Sequence, residues 1–283
     1  MANQYESEIR SDILFAVRDG VELLGDLYRP RGTDRAPVMV AAHGGGFQIG
    51  DRKFYRHWGP YLAERGYALF SVEYRLMRPG VSTWPGAVCD VKAAVQFVRA
   101  NAAEFGLDPD RIGAIGDSAG AHLTSLVALA GDETLFAGEA GDRHAAMSCG
   151  VKAVVGFYGV YDMLGQWEHD QLTRPRDQIT EKFLGGPPML SRRAYFDASP
   201  LSYATTDKNS TRFLLIYGHE DDICDPATQS ERFLLALKQA GFYARTIVVP
   251  GAGHFWASDP IDEPGSFGAF VAPKLVRFLD IAL

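Results

Sequence analysis

The sequence predicts an α/β fold: a mostly parallel, doubly wound sheet with helices on both faces. Three observations carry this. After an initial hairpin, strand-like and helix-like segments alternate to the C-terminus. The run Val38-Met39-Val40-Ala41-Ala42 is apolar without a break, as in a strand covered on both faces. Glycine-rich turns follow two of the strands, at His43-Gly44-Gly45-Gly46-Phe47 and Gly116-Asp117-Ser118-Ala119-Gly120.

The elements follow in order. Asp12 to Val17 and Val21 to Tyr28 read as two strands joined by Asp19-Gly20, a pair suited to a tight hairpin turn. Pro30, Gly32 and Pro37 mark a loop before the apolar run. Trp58 to Arg65 reads as a helix and Ala68 to Val72 as a buried strand. Val88, Val91, Val95 and Val98 recur at helical spacing. Arg111 to Ile115 is a strand, and Ala119 to Ala130 an Ala/Leu-rich helix. Val151 to Phe157 and Phe213 to Tyr217 are strands. A helix is expected from about Ala227 to Gln239, a strand over Thr246 to Val249, and a closing helix over Phe267 to Leu279. Residues 1–283 are read as one domain. Gly159 to Ser210 interrupts the rhythm with prolines and aromatics between two core strands, as an active-site lid does. Asp132 to Gly150 is a polar, exposed loop.

Composition narrows the function classes. The 283 residues hold 28 basic and 35 acidic side chains, a net charge of −7, with 47% apolar and 22% charged residues. A disordered chain would be less apolar. The acidic balance argues against a nucleic-acid partner. Cys89, Cys149 and Cys224 are too few and scattered for a disulfide framework or a cysteine-rich metal site. Met1 to Arg10 has no apolar core of a signal peptide, and no apolar run reaches membrane-spanning length. These features lead to an expectation of a cytoplasmic protein without metal or cofactor. Its partner is a small molecule, and a homodimer is compatible.

The chemistry centres on Ser118, in the one G-x-S-x-G of the chain. A serine between a strand and a helix sits on a strained turn with Oγ exposed above the sheet edge. Glycines flank it because a Cβ there would meet the adjoining elements. The turn at Gly44 to Gly46 lets N–H groups point into a cavity. Together with the N–H of Ala119 they suit an oxyanion. A phosphate-binding loop is the weaker alternative, since no G-x-G-x-x-G or P-loop lysine is present.

Serine needs a base. Of the seven histidines, His254 fits best. It lies in a glycine-rich loop after the last strand, and this kind of site runs serine, acid, histidine along the chain. His122, one helical turn past Ser118, reads as a packing or surface residue. The acid comes from Gly218-His219-Glu220-Asp221-Asp222: Asp221 is favoured by spacing and Asp222 is the runner-up. Asp225 suits a helix cap, and metal binding by His219 with these carboxylates is a minor alternative. Phe47, Trp84, Tyr161, Trp167 and Phe255 are the candidate pocket aromatics, with Trp58, Tyr158 and Trp256 nearby.

The chain resembles α/β-hydrolases of the hormone-sensitive-lipase-like and feruloyl-esterase-like (BD-FAE) carboxylesterase group. The resemblance rests on His43-Gly44-Gly45-Gly46-Phe47 with Gly50-Asp51, Glu73-Tyr74-Arg75-Leu76, Trp84-Pro85-Gly86 with Asp90, Gly116-Asp117-Ser118-Ala119-Gly120, and Gly253-His254. It implies an α/β-hydrolase fold with an eight-stranded sheet. It also implies Ser118 as nucleophile, Asp221 as acid, His254 as base, and an oxyanion hole from Gly45, Gly46 and Ala119. Two departures stand out. A large N-terminal cap is not expected, because the hairpin starts near Asp12, and Asp222 stands where family members often have proline after the acid. The implied reaction is hydrolysis of a small, short-acyl or aromatic ester through an acyl-enzyme. An arylformamidase-type amide hydrolase is the alternative on the same triad, and a non-catalytic binding protein the more distant one.

Overall fold

The computed structural model describes residues 4–139 and 142–283. Residues 1–3, at the start of the polar N-terminal stretch, and 140–141, within the loop expected over 132–150, lie outside the described residues.

Strand β1 (Ser7–Arg18) pairs with β2 (Val21–Pro30) as the predicted hairpin. Asp19 and Gly20 both have positive φ, +51° and +77°, as a tight turn between twisted strands requires. Then come β3 (Ala36–Ala42), α1 (Trp58–Ala63), β4 (Ala68–Val72), α2 (Gly86–Ala100) and α3 (Ala102–Phe105). They lead to β5 (Leu107–Asp117), α4 (Ala119–Ala130) and β6 (Ala153–Phe157). Between β6 and β7 (Arg212–Gly218) run three short helices, α5 (Met163–Thr173), α6 (Ile179–Leu184) and α7 (Arg192–Asp197). A π-helical turn, Ala227–Glu231, leads into α8 (Arg232–Gln239), and β8 (Ala244–Val249) and α9 (Phe267–Ala282) complete the chain.

The strands form one eight-stranded sheet in the order β1-β2-β4-β3-β5-β6-β7-β8. The β1–β2 and β2–β4 pairs are antiparallel and the rest are parallel. This is the expected α/β-hydrolase sheet. Every residue of β3 is buried. Its side chains alternate between two cores, because successive residues of a strand face opposite ways. Val38, Val40 and Ala42 meet α2 and α4 residues such as Val91 and Leu123 on one face. Met39 and Ala41 meet α1 and α9 residues such as Leu62 and Leu275 on the other.

Strand β5 begins four residues before the expected Arg111. Leu107 pairs with Ala36, the register then shifts, and Ile112 pairs with Val38. The irregular step, with Pro109 and the charged Asp108 and Asp110, hides the early strand from pattern reading. In register, Gly116 lies beside Ala42 of β3 and Gly156 of β6. The C-terminal ends of the parallel strands thus form one edge, where sites of open α/β sheets are found.

Candidate active site

Ser118 joins β5 to α4 with φ +49° and ψ −116°, a conformation that costs a non-glycine residue free energy unless neighbours impose it. They do. The Ser118 N–H donates to the Phe157 carbonyl at 2.8 Å. A Cβ on Gly116 would come within 2.3 Å of the Gly120 backbone, and one on Gly120 within 1.9 Å of the Ala42 carbonyl oxygen. The two glycines let the turn nest against the end of β3.

The hydroxyl faces His254, with Oγ 3.0 Å from Nε2. The other ring nitrogen, Nδ1, donates to Asp221 Oδ2 at 2.7 Å. That leaves Nε2 to accept from the serine hydroxyl. Asp221 is held in turn: its Oδ1 accepts the N–H groups of Ile223 at 3.0 Å and Cys224 at 2.9 Å. The Tyr158 ring packs 4.4 Å from the imidazole, and its hydroxyl accepts the Ala257 N–H. Ring, carboxylate and backbone therefore fix one another. Asp222 is exposed, and its carbonyl accepts from His169 Nε2 at 2.8 Å, while its carboxylate has no hydrogen-bond partner among the described residues. His219 is exposed as well. Among the described residues no three His, Cys, Asp or Glu side chains converge as a metal would need.

The glycine turn stands opposite. Gly45 and Gly46 have φ of +107° and +59°, and a Cβ on Gly45 would lie 2.1 Å from the Ile49 carbonyl oxygen. The Gly45 carbonyl accepts from the N–H groups of Gln48 and Ile49, which curls the turn. The N–H groups of Gly45, Gly46 and Ala119 donate to no carbonyl among the described residues. Behind the turn, Asp117 Oδ1 accepts from Gly44 N–H at 2.9 Å and from the Tyr55 hydroxyl at 3.1 Å. Burial raises the Asp117 carboxyl to about 7, against the pull of those two donors. Tyr74 donates to the His43 carbonyl at 2.8 Å and stacks on its ring.

A cavity of about 330 Å³ is lined by Ser118, His254, Gly45, Gly46 and Ala119, with Phe47 and Phe255. Phe255 is 67% exposed at its mouth. Phe47 is buried, its ring stacked at 3.8 Å on Phe183 of α6. The remaining pocket candidates stand elsewhere. Tyr161 is directed into the core, stacked on Phe233 of α8 at 4.4 Å. Trp84 packs edge-on against Phe136 and Phe183 and lines a separate cleft. Trp167 of α5 packs against the core, donates its indole N–H to Glu181 of α6 at 2.7 Å, and does not line the cavity. Trp58, Tyr158 and Trp256 belong to the α1/α9 core. Nearness to a strand end in sequence does not set which way a side chain faces.

The walls that sequence reasoning missed come from the insertion: Met163, Gln166, Asp170, Arg174 and Ile179, with Ile223 and Cys224 from the turn after β7. Burial pushes the Cys224 thiol up. His122 is packing: its ring is edge-on to Phe47 and Phe183, Nε2 meets the Ala198 carbonyl at 2.6 Å, and burial lowers it to about 4.

Comparison with known proteins agrees with this architecture. The BD-FAE family model matches residues 25–237. The chain is 34% identical over 211 residues to esterase LipQ of Mycobacterium tuberculosis, covering 73% of this chain and 47% of that protein. It is 31% identical over 252 residues to esterase LipC of the same organism, covering 83% of this chain and 57% of that one. The chain thus spans about half the length of the curated relatives it matches. A propionate-bound thermophilic esterase from Thermogutta terrifontis superposes with a TM-score of 0.76 at 24% identity, covering 98% of this chain and 94% of that one. That likeness speaks for the fold, and the family match extends it to kinship: this chain belongs to the BD-FAE family, on an α/β-hydrolase fold.

Proposed function

We propose that the protein is a serine carboxylesterase acting on small esters through an acyl-enzyme. The observation that carries this is the unbroken chain from Ser118 Oγ to His254 at 3.0 Å and on to Asp221 at 2.7 Å. Ser118 Oγ bonds to the ester carbonyl carbon while His254 Nε2 takes its proton. Asp221 stabilises the imidazolium. The N–H groups of Gly45, Gly46 and Ala119 hold the oxyanion in a fixed array that needs no reorganisation as charge develops. The carbonyl–oxygen bond then breaks and His254 passes its proton to the departing alcohol. Water repeats the cycle on the acyl group, returning the proton to Ser118.

A cavity of about 330 Å³ is at the small end for ligand sites, which supports a short acyl group or compact aromatic ester. The relatives named as esterases and the propionate in the structural neighbour point the same way. We assign residues 159–210 the role of a lid, since α5 and the start of α6 wall the cavity.

The deciding experiment measures turnover of p-nitrophenyl acyl esters alongside fluorophosphonate labelling. Ser118→Ala is expected to lose both, with turnover down at least about 10³-fold. Undiminished turnover in that variant would overturn the reading. Faster hydrolysis of an N-formyl aromatic amide than of any ester would shift it to an arylformamidase-type enzyme.

A further inference from the structure

The cavity over Ser118 is apolar along Val160, Met163 and Ile179; Gln166, Asp170 and Arg174 form a polar corner, and Gln48, Asp177 and Thr180, whose Oγ1 is also buried without a partner, line it too. Asp170 is buried, and its Oδ1 accepts from Gln166 Nε2 at 2.9 Å and Arg174 Nη2 at 2.6 Å. Both donors also reach the Ile223 carbonyl, at 2.8 and 3.2 Å. These bonds fix the two side chains through Gln166 Nε2 and Arg174 Nη2. Gln166 Oε1, an acceptor, and Arg174 Nε–H, a donor, are both buried without a partner, and Gln166 as a whole is only 4% exposed.

Buried polar atoms are normally matched, so two of opposite sense on neighbouring residues that line one cavity call for an explanation. A hydroxyl group donates and accepts at once and can answer both. A carboxylate gains little there: the Arg174 charge is already met by Asp170, and Asp177 lines the same cavity. An ammonium group would meet the Asp177 carboxylate but has no lone pair to accept the Arg174 Nε–H. We propose that Gln166 and Arg174 form a hydroxyl-recognition point, and that the preferred substrates are aliphatic esters bearing a hydroxyl away from the scissile bond. This rests on the esterase reading above.

The test uses the whole protein and two substrate series in a pH-stat. One series is short ethyl ω-hydroxyalkanoates and the other monobutyrates of short diols, each compared with its hydroxyl-free counterpart. The hydroxylated member of at least one series is expected to win by about tenfold or more in kcat/KM, as a site built to pair a hydroxyl rejects the analogue lacking it. Gln166→Leu, and Arg174→Lys, which keeps a cation for Asp170 but lacks Nε, should each shrink that ratio to under about threefold. Ratios within about twofold throughout, or a preference untouched by both variants, overturn the proposal while plain-ester turnover leaves the esterase reading standing. The same pairs are titrated calorimetrically into Ser118→Ala protein. Equal affinities overturn the proposal whether or not the wild type turns over, or either variant folds.

Discussion

The carboxylate of Asp117, next to Ser118, accepts the backbone N–H of Gly44 at 2.9 Å across 73 residues of chain. The serine turn and the glycine turn are thereby set against each other. Burial holds Asp117 near 7, whereas an unfolded aspartate titrates near about 4. Between those values the native state keeps a proton that the unfolded chain has released. Asp117 therefore costs stability as pH rises through that window. Asp117→Asn keeps the acceptor but not the titration. Its melting temperature relative to wild type should climb from about pH 5 to about pH 7.5. A pH-independent difference between the two proteins would contradict the raised carboxyl.

His122 works in the opposite direction. Burial lowers it to about 4, while an unfolded histidine titrates near about 6.5. Across that window the unfolded chain binds a proton that the native state refuses, so stability falls with falling pH. His122→Gln retains a donor for the Ala198 carbonyl. Relative to wild type, it should gain thermal stability between about pH 7 and about pH 5 in a melting series.

Asp221 and Asp222 are neighbours with opposite fates. Asp221→Asn should lower kcat by about 10⁴-fold with the fold intact, because the amide no longer enforces the tautomer and position of His254. Asp222→Asn should leave kcat within about twofold of wild type, as expected for an exposed surface change. Initial-rate kinetics on one p-nitrophenyl ester separate them, and equal losses would remove the distinction.

Gly120 bears on stability. A methyl group there meets the Ala42 carbonyl at 1.9 Å, and that backbone lies in a fully buried strand. Gly120→Ala should cost more than about 3 kcal/mol or prevent soluble expression, whereas Gly20→Ala meets no atom and is charged only for its positive φ, about 1 kcal/mol. Urea denaturation of the pair measures the contrast.

Most of the sheet is legible in residue order. Val38 to Ala42 reads as a two-sided strand because both of its faces are covered, and Asp19-Gly20 reads as a turn because few pairs accept its backbone angles. The meeting of Ser118, His254 and Gly45 is legible for a related reason: glycine spacing records where backbones touch. The polar corner at Gln166 and Arg174 is not. Gln166 sits on a helix of mixed polarity and Arg174 at its C-terminal cap, and only the convergence of α5 with the turn after β7 gives them a shared cavity. Trp84, Tyr161 and Trp167 miss that cavity because local pattern identifies an aromatic near an edge without fixing its direction.

The Phe47–Phe183 stack has a practical consequence for redesign. It rivets the insertion to the glycine turn of Gly45 and Gly46, so grafting a foreign segment over α6 to retarget selectivity would drag the proposed oxyanion donors with it. Helix α5 is braced instead on the turn carrying Ile223. Point exchanges along its inner side offer the route by which specificity can drift while the reaction machinery stays in place.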